Sequence, residues 1–238
     1  YPKIFIRQSS IARRIGADSK AYNLVQKARN IAQKHTYTTK ELWIDLYISS
    51  SNTYIVQDKV LLARQELELA KATFDSLPSG DPVELSLIYL NYGSIDDREK
   101  KFDQAIQAYQ RALDLLPASV VGQHPQASLI HSNLALTYQR LQNFDLAFYH
   151  AKKSLQIEEK VSPEGSISRV DAYNLLGFLF GEIGQFDSAE VYITYALEEL
   201  FPDVDMQKDL SQLADPTYFR LTDIRTILTC FTKLGEAR

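Results

Sequence analysis

Residues 133–157 read NLALTYQRLQNFDLAFYHAKKSLQI, and residues 174–197 read NLLGFLFGEIGQFDSAEVYITYAL. Laid over one another, they set Ala135 on Gly177, Ala147 on Ala189 and Ser154 on Ala196, each pair 42 residues apart. The same offset runs back towards residue 1. One column holds Ser9, Ser51, Gly93, Ala135 and Gly177; a second holds Ala21, Ala63, Ala105, Ala147 and Ala189; a third holds Ala28, Ala70, Ala112, Ser154 and Ala196. Small residues at fixed places let helix backbones approach closely. Three such columns held in phase over five periods mark a repeat architecture.

With the first column placed at position 8, the other two fall at positions 20 and 27. Position 4 then holds Phe5, Tyr47, Tyr89, His131 and Tyr173, and position 17 holds Asp18, Val60, Phe102, Phe144 and Phe186. This skeleton resembles the tetratricopeptide repeat, in the 42-residue form found in kinesin light chains. The resemblance implies an all-α, right-handed superhelical solenoid of five helix-turn-helix repeats, at about 2–43, 44–85, 86–127, 128–169 and 170–204. Residues 205–238 are expected to add a terminal helix, capping or opening a divergent hairpin, with Asp215-Pro216 as its start and Leu221, Ile224, Leu228 and Phe231 as its apolar face. The stretch 210–238 resembles the segment that links such repeats to the protease of bacterial CHAT proteins. On that resemblance this chain would be the regulatory or sensor region of a larger CHAT-like cysteine protease, with the catalytic His and Cys outside it.

The period is eight longer than the common 34-residue repeat. Pro78, Pro82, Pro117, Pro125, Pro163 and Pro202 place the excess in the connections after each second helix, where a residue without an N–H is tolerated. Helix starts are expected at Thr38-x-x-Glu41, Asp81-Pro82-x-Glu84 and Ser168-x-x-Asp171. No strand signal of comparable strength exists.

Composition excludes several classes. A formal net charge of −4 and a pI near 5.6 lack the basic footprint of a nucleic-acid binder. The longest apolar stretch, Leu175–Phe180, is far short of the ~18 residues that span a bilayer, so no membrane insertion is expected. One cysteine, Cys230, makes no internal disulfide. A start at Tyr1, with no Met and no signal peptide, reads as a fragment or processed form, with the cytoplasm favoured.

No catalytic, metal or cofactor motif stands above background. His35, His124, His131 and His150 lack zinc-ligand spacing, and no phosphate-binding glycine motif occurs. His131 sits in an aromatic column and reads as a packed ring, His35 and His124 as solvated, and Cys230 as a small buried thiol. The run 96–101, Glu158-Glu159 and Glu198-Glu199 read as solvated faces. The chain is therefore expected to be a non-enzymatic scaffold, with an autonomous Cys- or His-based enzyme the weakest alternative.

In the family it resembles, first helices line a concave groove. Positions 2, 6, 9 and 13 form one helical stripe there. The expected ligand is a protein or peptide segment, bound by Asn52, Asn91 and Asn133 through its backbone. Arg98 and Arg140 would meet acidic side chains, and Leu136, Leu175 and Phe178 would take an apolar anchor. The family's chaperone-binding carboxylate clamp needs three cations and two asparagines. Repeats two to four offer Ile48, Asn52, Asn91, Leu129 and Asn133, so both asparagines are present and every cation is missing.

Overall fold

A computed structural model describes residues 2–14, 16–35, 38–119 and 121–202. All the regular structure among them is helical: α1 (Pro2–Arg14), α2 (Asp18–Lys34), α3 (Lys40–Val56), α4 (Val60–Asp75), α5 (Pro82–Arg98), α6 (Phe102–Asp114), a short 3-10 turn at Val121–Gln123, α7 (Pro125–Arg140), α8 (Phe144–Val161), α9 (Ile167–Glu182) and α10 (Phe186–Leu200). The terminal helix expected after residue 204 lies outside the described residues. The chain divides into two compact units, Tyr1–Pro117 and Ala118–Arg238.

The first unit holds the hairpins α1–α2, α3–α4 and α5–α6; in the second are α7–α8 and α9–α10. Within each unit the second helix of one hairpin packs on the first helix of the next: α2 on α3, α4 on α5, and α8 on α9. First helices also touch first helices, α1 with α3, α3 with α5, and α7 with α9.

The small-residue columns are the hairpin contacts. Every alanine of the position-20 column is at most 3% exposed. At position 8, a Cβ on Gly93 would come within 2.4 Å of the Tyr109 ring, and one on Gly177 within 2.9 Å of Ile193 Cγ1. Two of the three serines in these columns use their hydroxyls, while Ser51 Oγ is buried without a hydrogen-bond partner. Ser9 Oγ donates to the Ala21 carbonyl at 3.0 Å, and Ser154 Oγ shares hydrogen bonds with Ser128 at 2.9 Å and Ser132 at 2.7 Å. A buried hydroxyl without a partner would oppose folding.

Each hairpin turn has one conformation. Position 15 holds Gly16, Asp58, Lys100, Gln142 and Gly184, all with φ between 58° and 75°. The following amide closes a bond to the carbonyl of position 11: Ala17 to Ala12, Lys59 to Tyr54, Lys101 to Asp96, Asn143 to Tyr138 and Gln185 to Phe180, at 2.8–2.9 Å. This is the closing bond of a Schellman turn, which needs a left-handed residue. Only two of the five are glycine.

Several local readings change. The 42-residue period is absorbed largely by long helices, 17 residues in α3 and α5 and 18 in α8, rather than by the connections alone. Asp81 caps α5 as expected, accepting from Val83 N at 2.9 Å, with Pro82 in the first turn. The cap of α3 is Thr39, not Thr38, whose hydroxyl instead closes the end of α2 on the Ala32 carbonyl. The cap of α9 is Ser166, because Ser168 is already inside the helix. Asp96, Glu158 and Glu199 are not solvated. Asp96 is buried and pairs with Arg64 at 2.6 Å; Glu158 is buried and accepts from the Ser162 hydroxyl; Glu199 pairs with Arg169 at 2.5 Å.

Candidate interaction surface

Because first helices touch first helices, positions 2, 6, 9 and 13 run side by side along one face of each unit. In the first unit the stripe comprises Lys3, Arg7 and Ser10 of α1, then Asp45, Ser49, Asn52 and Val56 of α3, then Leu87, Asn91, Ser94 and Arg98 of α5. Asn52 is half-buried. Asn91 is only 4% exposed, and its amide donates to the Leu87 carbonyl of its own helix at 2.8 Å. Arg98 is exposed and lies 3.6 Å from Asp58, the left-handed residue of the preceding turn.

An acidic corner borders this stripe where α3 and α5 begin. Burial raises the Asp45 carboxyl, and Lys3 opposes the shift. Glu84 is pushed up to about 7, chiefly by burial and then by Asp45, Asp81 and Glu41. Carboxylates gathered at low dielectric resist ionising together. The sequence stripe had left Glu84 out, because it lies one helical turn before position 2.

In the second unit the stripe is more apolar. Leu129 stands 52% exposed on α7, with Asn133 and Leu136 half-buried below it and Arg140 exposed at the end. On α9 it continues through exposed Asp171, buried Leu175, half-buried Phe178 and exposed Glu182. Leu175, 8% exposed, belongs to the core cluster formed by α7, α8 and α9, and Leu136 and Phe178 pack against that cluster. Gln139 Nε2 reaches Glu182 Oε2 at 2.8 Å and ties the two helix ends together. The stripe thus has an apolar floor with an amide and charges along its edges.

Away from the stripe, His131 of α7 is packed, as its column implies, and its Nδ1 lies 2.8 Å from Nδ1 of His150 on α8. The Tyr138 ring stacks on His150, with centroids 5.5 Å apart, and the Tyr149 ring meets it edge-on. Burial lowers both histidines to about 4, and for His131 the neighbouring His150 and Lys153 lower it further. The pair is therefore neutral at pH 7, one Nδ1–H donating to the other ring. His124 is not merely solvated: its Nδ1 accepts from Gln126 N at 3.2 Å and caps α7. Among the described residues, no three His, Cys, Asp or Glu side chains converge as metal ligands. Among them, too, no helix is long and apolar enough to cross a membrane. Cys230 and the stretch 210–238 lie outside the described residues.

Residues 126–198 match a tetratricopeptide repeat model, and residues 87–118 match a second one. A DnaJ homolog subfamily C member 7 homolog of Schizosaccharomyces pombe is 34% identical over 113 residues, which are 48% of this chain and 21% of that protein. The chain thus spans about a fifth of the length of this curated relative. Among solved structures, BtubC (BKLC) of P. vanneervenii has a TM-score of 0.64 at 21% identity, covering 95% of this chain and 90% of its own. A putative kinesin light chain of Podosopora anserina with nearly identical TPR-like repeats has a TM-score of 0.59 at 13% identity, covering 84% and 94%. At these identities the structures establish the fold alone: the hairpins are tetratricopeptide repeats, and kinesin-light-chain-like repeats are among their structural neighbours.

Proposed function

We propose that this chain of tetratricopeptide repeats holds an extended protein segment along its first-helix stripes and catalyses no reaction on it. Such repeats are scaffolds whose stacked helices present long binding surfaces. The observation that carries the reading is the make-up of the second unit's stripe. Leu136 and Phe178 give a half-buried apolar floor beside exposed Leu129, and Asn133 and Arg140 stand at its edge. An extended peptide has unpaired backbone groups, and one carboxamide can both donate to and accept from them. An exposed guanidinium favours acidic side chains. The ligand class is therefore a segment with acidic character and one bulky apolar residue, bound more weakly as salt rises.

In the first unit, Asn52 and Arg98 play the corresponding parts. Asn91 contributes less, since binding there would first break its bond to Leu87. Leu175 supports Phe178 from below rather than meeting ligand.

A co-chaperone reading draws on the DnaJ homolog among the relatives. The clamp chemistry speaks against its usual form: Ile48, Leu129 and Asn133 stand where that mode requires cations, and Ile48 is 5% exposed. A carboxylate there would gain no charge-assisted bond.

The test is selection of binders from a displayed random-peptide library, followed by calorimetry of the winning peptide. Asn133→Ala with Arg140→Ala should weaken binding by about 1–3 kcal/mol, the scale of a few lost hydrogen bonds. Unchanged affinity, with the helical content intact, would place the ligand elsewhere on the molecule.

A further inference from the structure

The five first helices are built on the same columns, yet α1 wears its apolar face differently. Position 3 holds Leu46, Ile88 and Ala172 in α3, α5 and α9, and these are 0%, 0% and 2% exposed. Position 10 holds Thr53, Ile95 and Leu179, at 1%, 0% and 0%. In α1 the same two positions are Ile4 and Ile11, at 51% and 61%. Isolated exposed apolar residues are ordinary on a protein surface. These two are not isolated in that sense. They lie seven residues apart on one face of the helix, at the two positions that the other first helices fill with buried aliphatic residues or threonine.

The structure also shows what covers this face elsewhere. Leu46 clusters with Ala28 and Ala32 of α2, Ile88 and Ile95 with Leu67 and Ala70 of α4, and Ala172 and Leu179 with Ala151 and Leu155 of α8. In each case the cover is the second helix of the hairpin immediately N-terminal in the chain. It presents small residues, or one small residue and a leucine, three or four apart. We infer that the Ile4–Ile11 face of α1 is a docking surface for one more helix of this kind, supplied by a repeat hairpin joined ahead of α1. The inference rests on the exposed face and its three internal counterparts. Gln8 lies between the two isoleucines and is exposed, so the docking helix would carry a polar partner opposite it.

The test extends the chain with one of its own hairpins. Residues 40–85 joined directly to Pro2 keep the 42-residue register and bring a copy of α4 over α1; Pro2→Ser lets the helix run through the junction. The extended chain should melt at least about 4 °C above the original, as a new neighbour interface stabilises a repeat array. Ile4→Gln with Ile11→Gln should remove that gain in the extended chain. In the original chain the same pair should leave the melting temperature unchanged, because both side chains are largely in water. A gain that survives the double substitution, or no gain at all, overturns the inference. So does a concentration-dependent dimer of the original chain that the double substitution dissolves, since the occupant would then be a second copy.

Discussion

Gly93→Ala asks the most of the assigned repeat register. Gly93 is mid-helix in α5, where alanine is ordinarily better than glycine by about 0.5–1 kcal/mol. The new Cβ, however, would sit 2.4 Å from Tyr109 Cε1, 2.6 Å from Cδ1 and 2.9 Å from Cζ. Ordinary contacts begin a full ångström further out. Tyr109 is 2% exposed and lies on α6, so its ring has no empty space to turn into. Relief must come from parting α5 and α6. Overpacking of this kind costs about 1–3 kcal/mol, which exceeds the propensity gain. The net expectation is a loss of roughly 1–2 kcal/mol in the first unit. Gly181→Ala is the control: Gly181 is also helical, in α9, and nothing lies within 4 Å of its would-be Cβ. That substitution should be neutral or stabilising by up to ~1 kcal/mol. Thermal and urea unfolding followed by circular dichroism would measure both. Adding Tyr109→Leu to Gly93→Ala should recover part of the loss relative to Tyr109→Leu alone, a coupling between touching residues. If Gly93→Ala melts at or above the original chain, the close approach of α5 to α6 is wrong.

Three further outcomes are expected. Lys100→Gly should stabilise by roughly 1 kcal/mol, because φ at Lys100 is 60° and a left-handed backbone strains any residue with a Cβ; urea unfolding reads it, and destabilisation would contradict the turn conformation. His131 and His150 fall to about 4 against an ordinary 6.5, so between those pH values the unfolded chain binds more protons. Their contribution to stability is full above about pH 6.5 and is lost as pH falls towards 4, by roughly 2 kcal/mol for the pair once its partial exposure is allowed for; His131→Phe with His150→Phe should flatten the melting profile across that window. Glu84 has the opposite sign. Its folded pKa of about 7 lies above the ordinary 4.5, so its contribution is present below pH 4.5 and lost as pH rises through 7, and Glu84→Gln should raise the melting temperature at pH 8 more than at pH 4.

The fold was legible because its cause is local and periodic. Alanine at Ala63, Ala105 and Ala147 is needed wherever two helix backbones meet, and a need that recurs every 42 residues is written as a column. The hairpin turn recurs just as strictly in space, yet its column reads Gly, Asp, Lys, Gln, Gly. The left-handed strain at one residue is small enough for packing to override, so composition does not betray it. The same limit moved the helix caps. Thr38 and Thr39 are both good caps, and which one serves depends on where α2 ends, since Thr38 already holds the Ala32 carbonyl.

The candidate surface was legible in position and not in state. Spacing gave Asn91, Asn133, Leu175 and Phe178 the same stripe positions, and within each unit the first helices touch one another. Whether each side chain is offered to a ligand depends on neighbours from other helices, which no single-helix pattern contains. Asn91 turns back onto its own helix; Leu175 is claimed by the core between α7, α8 and α9; Leu129, a stripe position not counted among the ligand contacts, is an exposed apolar side chain. Charge behaves in the same way. The acidic corner of Asp45 and Glu84 draws on two helices far apart in sequence, so neither residue looked unusual alone. It lies in the first unit at the start of α5, whereas exposed Arg98 stands at the other end of that helix. A segment with acidic side chains would therefore be repelled at the start of α5 and accepted near its end. That polarity gives the proposed ligand a direction along the first unit, and charge reversal at Glu84 or at Arg98 should shift its affinity in opposite senses.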